Sequence, residues 1–468
     1  MSLLRYWNDL AQRLVADDHT GSPIPGNQAG PTHTSYALAL LHLAMHDALA
    51  GIDGTFAHYA ANPVVAPAGT DAEQAMCGAA DRMARELYPN PTHAGTIATA
   101  FQGARAILGL GGQPQTSSEK YGTKCAEALI LQRQNDGSKA FKNYQYLPDP
   151  GAHRPDPHSP GQQVLGAEWG DVTPFTYAVG AHPPLKAPPS LQSQEYLTAY
   201  NQVYAEGRDD ITRRDPQQAM MGIFWGYDGA QKLGTPPRLY NQVVRTICDP
   251  LSLSLKDEMR LYTLVNVGMA DAGIACWHHK YVYNFWRPVV GIREAAFGAG
   301  PSGRGDTFKR TDGDPFWCPL GAPDTNGNRP HNFTPNFPAY PSGHSTFGTT
   351  CFLLLAKLLD EKAKDIKFEF VSDEFNGISR DSTNVIRPRL ARWFTLAQAI
   401  QENADSRIYL GVHWKFDAVQ GMKLGEALVP GVYAKMGSPK APKAKAKAKA
   451  APPAPPQQPT PGWRDPHR

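Results

Sequence analysis

Three short stretches of this 468-residue chain share one chemical preference. They are Lys280 with Arg287 and Pro288, then Pro341-Ser342-Gly343-His344, then Ser406-Arg407 with His413 and Asp417. Together they offer three cations, two histidines, a hydroxyl and a glycine turn. A divalent metal asks for carboxylates, thiolates or several imidazoles, so the set suits it poorly. A tetrahedral or trigonal oxyanion, which accepts hydrogen bonds on all sides, suits it well.

Each stretch has a plain alternative. Lys280 and Arg287 are seven apart, which predicts two turns of one helix face, about 10.5 Å along the axis; most such pairs are a solvated basic stripe. Pro341 to His344 predicts a tight turn ahead of a helix, with backbone N–H groups and the helix dipole facing outward. Ser342 adds a donor, Gly343 permits close approach, and His344 can exchange a proton with whatever is bound. Arg407 can bind oxygens in pairs. His413 and Asp417, at i and i+4, are expected on the last helix, with the carboxylate on one imidazole nitrogen and the other left as a lone pair. An isolated motif of any of these kinds means little; all three in one chain are a strong signal.

The three stretches resemble the pattern KxxxxxxRP, PSGH and SRxxxxxHxxxD of the vanadium-dependent haloperoxidases, which share it with the type 2 phosphatidic acid phosphatases. Phe224-Trp225-Gly226-Tyr227-Asp228-Gly229, Gly234 to Arg238, Phe285 to Pro288, Phe337 to Tyr340 and Gly411 to Trp414 look like the chloroperoxidase branch. The resemblance covers most of 30–435. It implies vanadate (orthovanadate, V5+) as cofactor, with Lys280, Arg287, Arg407, Ser342 and the Gly343 N–H on its oxygens and His413 bonded to vanadium. It makes His344 the acid/base group, Asp228 the carboxylate that orients an arginine, and Trp277 and Phe337 the wall beside the halide. Phenylalanine at 337, where the bromide-preferring branch has histidine, leans towards chloride. The implied reaction oxidises chloride or bromide with hydrogen peroxide to hypohalous acid, with an organic acceptor and an oligomeric state left open. The alternative is a soluble acid phosphatase with His413 as nucleophile and His344 as general acid.

The elements that must position these residues read as helices. Met1–Leu14 is amphipathic; Thr34 or Ser35 is expected to cap an apolar helix to about Ala50; others fit about 71–88, 93–109 and 116–136. His42 and His46 have metal-ligand spacing but no third ligand, so they are expected to be packed. Gly109-Leu110-Gly111-Gly112 follows a helix rather than a strand and is expected to end it. Prolines crowd 144–190, with Trp169, Phe175 and Tyr177 among them, which predicts an ordered connection. Later helices are expected over 215–229, from a Ser254 cap to Trp286 where Pro288 stops it, from His344, and over 388–408 and 413–436. No run of alternating strand residues stands out. The expected fold is all-α and haloperoxidase-like: two helical bundles packed together, 1–190 and 191–437, with long Pro/Gly-rich loops.

Composition narrows the function classes. The formal charge is +3, but from Ser438 onward seven Lys and Arg against Asp465 give the tail +6 and leave the body at −3. The Lys/Ala/Pro tail, 438–468, is expected to be disordered and solvated, so nucleic-acid binding is not expected beyond it. Six scattered cysteines, without a CxxC pair, predict free thiols and favour a reducing compartment such as the cytoplasm. No secretory or membrane-spanning segment is expected, since the apolar run Cys351–Leu359 is short and contains Lys357.

Overall fold

Ser2 opens the chain by accepting the Arg5 N–H on its side chain, which caps α1 (Leu3–Asp18). In the computed structural model, residues 2–436 are described except 21–25, 211, 296–312, 328 and 330; the tail lies outside them. Four helices follow: α2 (Gly30–Asp53), α3 (Ala72–Leu87), α4 (Pro91–Ile107) and α5 (Ser117–Arg133). The proline-rich connection holds only a 3-10 turn at Trp169–Asp171, and its aromatics Trp169 and Phe175 are buried, as packing demands. Then come α6 (Gln194–Glu206), α7 (Pro216–Phe224), α8 (Pro236–Cys248), α9 (Leu255–Tyr283), α10 (Pro288–Glu294) and α11 (Gly343–Leu358). The chain closes with β1 (Lys367–Asn376), β2 (Arg389–Thr395), α12 (Leu396–Tyr409) and α13 (Lys415–Lys435).

Two helices form the axis. α9 is buried from Glu258 to Trp277, and α2 packs against it while α11 and α13 cover its other side. α2 is long and apolar enough to cross a membrane, yet 89% of its most apolar window is buried inside the protein, which makes it a core helix. Its histidines are packed: His42 bonds the Leu38 carbonyl and the Asn8 amide, and His46 the Ala57 carbonyl. One hydrophobic core runs from α1 through α9 to α13, and a second, aromatic cluster joins α6 to Trp286, Tyr340 and Trp414. Five cysteines are buried and Cys318 half-buried, all free.

Several local expectations are corrected. Thr34 and Ser35 lie inside α2, which starts at Gly30 because Pro31 occupies its first turn, where a missing N–H costs nothing. α9 ends at Tyr283, not Trp286: Asn284 takes a left-handed conformation (φ 49°) and returns its N–H to Lys280. Pro288 therefore starts α10 instead of stopping α9. Residues expected as helix at 389–395 form β2, which pairs antiparallel with β1, Phe368 opposite Phe394. The alternation was present in Lys367–Asn376, whose residues are alternately exposed and buried at its start, but it is the only such hairpin among the described residues. α6 and α8 went unforeseen, their stretches overshadowed by neighbouring prolines and motif-like residues.

Candidate active site

Five chain segments converge on one cavity of ≈ 40 Å³, lined among others by Asp228, Trp277, Arg287, Phe337, Gly343, His344, Arg407 and His413. That is room for a few water-sized groups or one small oxyanion. Lys280 and Arg287 do not share a helix face. The turn at Asn284 separates them, so Lys280 comes from the last turn of α9 and Arg287 from the extended residue ahead of α10.

Arg287 is fixed on three sides. Its Nε donates to the Phe337 carbonyl (3.0 Å), and its Nη1 to the Val412 carbonyl (2.7 Å) and His413 Nε2 (2.9 Å). Arg407, in the last turn of α12, makes a two-pronged ion pair with Asp228 at 2.6 and 3.0 Å. This is the planar fork geometry in which guanidinium and carboxylate bind most strongly. Lys280 lies deeper, with its ammonium donating to the carbonyls of Pro338 (2.9 Å), Ala339 (3.1 Å) and Pro341 (2.5 Å).

Both imidazoles have their tautomers set by neighbours. Gly411 (φ 70°) bends the chain between α12 and α13, and His413 stands just before α13 rather than on it. Its Nδ1 still donates to Asp417 (2.9 Å), a residue of the first turn of α13 that also accepts the Trp414 N–H. Nε2 is thereby left as the lone-pair nitrogen. His344 donates from Nε2 to the Gly226 carbonyl (2.8 Å), leaving Nδ1 as its basic nitrogen. Ser342 caps α11 through a long contact to the Ser345 N–H (3.5 Å) and stands behind the cavity wall, while Gly343 is on it. A side chain at Gly343 would run into the Trp277 ring at 3.2 Å, so the glycine lets that ring seat against the helix start. Trp277 and Phe337 meet at 5.0 Å between centroids and form the apolar side of the cavity.

The pocket is electrostatically unbalanced. Burial pushes Lys280 down to about 7 and Arg287 to about 9, with neighbouring cations adding to the shift. The same burial holds His344 and His413 well below the usual imidazole range, and lifts Asp417 to about 7. Two guanidinium donors, Arg287 Nη2 and Arg407 Nε, are buried without a partner. A buried unpaired N–H costs on the order of 1–3 kcal/mol. Donors in excess of acceptors, an unpaired pair of N–H groups and a lone-pair imidazole fit a vanadate-like oxyanion. Among the described residues no group of three His, Cys, Asp or Glu side chains could hold a metal ion.

The residue reading missed the Gly226 and Val412 carbonyls, which fix His344 and Arg287, and Pro31, Thr235, Pro236, Pro335 and Phe347 in the wall. Backbone acceptors leave no signature in residue types. The Phe224–Gly229, Gly234–Arg238 and Gly411–Trp414 blocks signalled that those turns mattered.

Residues 2–165 match the vanadium chloroperoxidase N-terminal domain, and 260–439 match the second helical-bundle domain of the same proteins. Vanadium chloroperoxidase of Curvularia inaequalis is 33% identical over 88% of this chain and 78% of its own length. Among solved structures, a bacterial vanadium-dependent iodoperoxidase superposes with a TM-score of 0.72 at 21% identity, covering 94% of this chain and 98% of its own. A bacterial vanadium-dependent chloroperoxidase in its holo form gives 0.62 at 15% identity, covering 90% and 95%. With its helices, its motifs and its match over most of both sequences in agreement, the chain belongs to the vanadium chloroperoxidase family.

Proposed function

We propose that this protein is a vanadate-dependent haloperoxidase, oxidising halide with hydrogen peroxide to hypohalous acid. The observation that carries the reading is the cavity between Arg287, Arg407 and His413, whose unpaired N–H donors want an oxyanion and whose far wall is aromatic. His413 Nε2 would hold the vanadium once Arg287 Nη1 turns its N–H from that nitrogen to an oxygen, and Lys280, Ser342, Gly343 and Arg407 would join Arg287 on the oxygens. Bound there, vanadate would supply the electron-poor centre at which peroxide becomes reactive towards halide. Arg287 and Arg407 neutralise anionic charge at the site, and the buried Asp228 keeps Arg407 in place. Lys280 reaches an oxygen by exchanging one of its three carbonyls. His344, neutral and with Nε2 committed to Gly226, takes a proton from incoming peroxide at Nδ1. Trp277 and Phe337 exclude water from the halide side, and their apolar surface supports chloride as a substrate.

The division into halves 1–190 and 191–437 is proposed on the same footing, supported by separate family matches at 2–165 and 260–439. The decisive experiment oxidises chloride, bromide and iodide with peroxide, with and without orthovanadate, beside hydrolysis of an aryl phosphate. Halogenation that requires vanadate is expected. Hydrolysis without vanadate and no halogenation would instead establish the phosphatase.

A further inference from the structure

The turn Gly226-Tyr227-Asp228 serves two site residues at once. Its Gly226 carbonyl fixes His344, and its Asp228 carboxylate fixes Arg407. Such a turn does not hold itself: Tyr227 is a fully buried, non-glycine residue at φ 54°, a left-handed conformation that costs roughly 1–2 kcal/mol. Something outside it must over-determine its shape.

That support is Glu374, a β1 residue with no solvent exposure. Its Oε1 accepts the Tyr227 N–H (3.2 Å) and lies so close under Gly226 that a Cβ there would stand 2.8 Å from it. Its Oε2 takes Arg387 Nη1 (2.7 Å) and the Thr325 hydroxyl, and Arg387 also donates to Thr325 (2.7 Å). Around this bracket β1 grips the same turn twice more: Ser372 donates to the Phe224 carbonyl (2.7 Å), and the Tyr227 hydroxyl accepts the Asp373 N–H (2.7 Å).

Resting on the haloperoxidase reading, we propose that Glu374, held by Arg387 and Thr325, is a positioning residue of the oxyanion pocket, setting the bend that aims Gly226 at His344 and Asp228 at Arg407. The hairpin is then part of the site's framework rather than an ornament on a helical fold. A glutamine at 374 keeps an acceptor for the Tyr227 N–H but turns its amide NH2 onto the Arg387 Nη1 N–H, so it loosens the bracket without emptying it.

The test compares Glu374→Ala, Glu374→Gln and Phe368→Ala, the last a buried hairpin residue that reaches the turn only through the Phe394 ring and controls for stability. Orthovanadate is titrated calorimetrically into each apo protein, and His344 ring ¹⁵N shifts are read by NMR without vanadate. Expected are an affinity at least about tenfold weaker and loss of the single Nε2–H tautomer in Glu374→Ala, the scale of effect that residues supporting metal ligands show. Glu374→Gln, which keeps the acceptor for Tyr227 but sets an amide NH2 against Arg387, is expected to fall between Glu374→Ala and wild type in both, and Phe368→Ala to leave both unchanged. The proposal is overturned if Glu374→Ala matches wild type in both readouts, or if Phe368→Ala, at equal loss of Tm, weakens vanadate as much. Should Glu374→Ala fail to fold, Thr325→Val decides in its place: loss of the tautomer signal supports the proposal and its retention overturns it. Failure of the haloperoxidase reading shows separately, as wild-type protein that binds no vanadate while the His344 signal is still read.

Discussion

At the scale of single residues, the pocket assigns its two histidines opposite tasks through their partners. His413 has its lone pair at Nε2 because Asp417 holds Nδ1; His344 has its own at Nδ1 because Gly226 holds Nε2. His413→Ala is therefore expected to lose tight vanadate binding, whereas His344→Ala keeps it and loses turnover. Equilibrium dialysis beside halogenation rates distinguishes the two, and equal vanadate affinity in wild type and His413→Ala would overturn the assignment. Lys280 gives a pH prediction. Without an anion its ammonium titrates at about 7, chiefly through burial. A bound oxyanion raises that value, so binding takes up a proton above pH 7 and affinity falls as pH rises, by at most about tenfold per unit. The same slope is expected to be missing from Lys280→Met, and subtracting one titration from the other removes the anion's own ionisation. An identical pH slope in both proteins would mean that Lys280 does not sense the anion.

At the scale of elements, the site depends on where helices stop. Asn284 turns the chain after α9, and without that turn Arg287 would follow Lys280 along one helix face instead of meeting His413. Gly411 does the same between α12 and α13. Its φ is 70°, and a Cβ there would stand 2.3 Å from the Gly207 carbonyl oxygen, a backbone atom that has no easy way to move. Gly411→Ala is expected to cost more than about 2 kcal/mol by adding this clash to the left-handed penalty. It should also weaken vanadate binding, because His413 is only two residues on. Urea unfolding and dialysis measure the two effects; a fully stable variant with native affinity would show that the bend is not required.

At the scale of the whole molecule, a polar seam ties the helices together. Asn8 of α1 reaches His42 of α2 and Asn241 of α8, which exchanges amide hydrogen bonds with Asn266 of α9. All four are buried, so each partner lost leaves a group unsatisfied. Asn266→Leu is expected to destabilise by roughly 1–3 kcal/mol in urea unfolding without changing vanadate affinity, because none of the four seam residues lines the cavity. Removing 438–468 is expected to leave Tm and halogenation unchanged. Loss of activity on truncation would give the Lys/Ala/Pro segment a role that its composition does not suggest.

The sequence alone pointed to an oxyanion site and to a family, leaving halide oxidation and phosphate hydrolysis both open. Lys280, Arg287, Ser342, Gly343, His344, Arg407 and His413 stand out in the sequence because cations, a hydroxyl, a glycine turn and imidazoles together suit an oxyanion, and helical periodicity is legible because it repeats along α2, α9 and α11. The hairpin was harder to read, since a strand that alternates only at its start carries little weight in a chain otherwise patterned for helices. Tertiary structure decided what has no side-chain signature. Left-handed residues such as Asn284 and Gly411 redirect the chain, and the carbonyls of Gly226 and Val412 choose which way His344 and Arg287 face. Burial, which depends on every neighbour at once, pushes Lys280 down and Asp417 up, each to about 7. Residue types name the donors, but only the fold leaves a guanidinium N–H unpaired on each of two arginines that line one cavity.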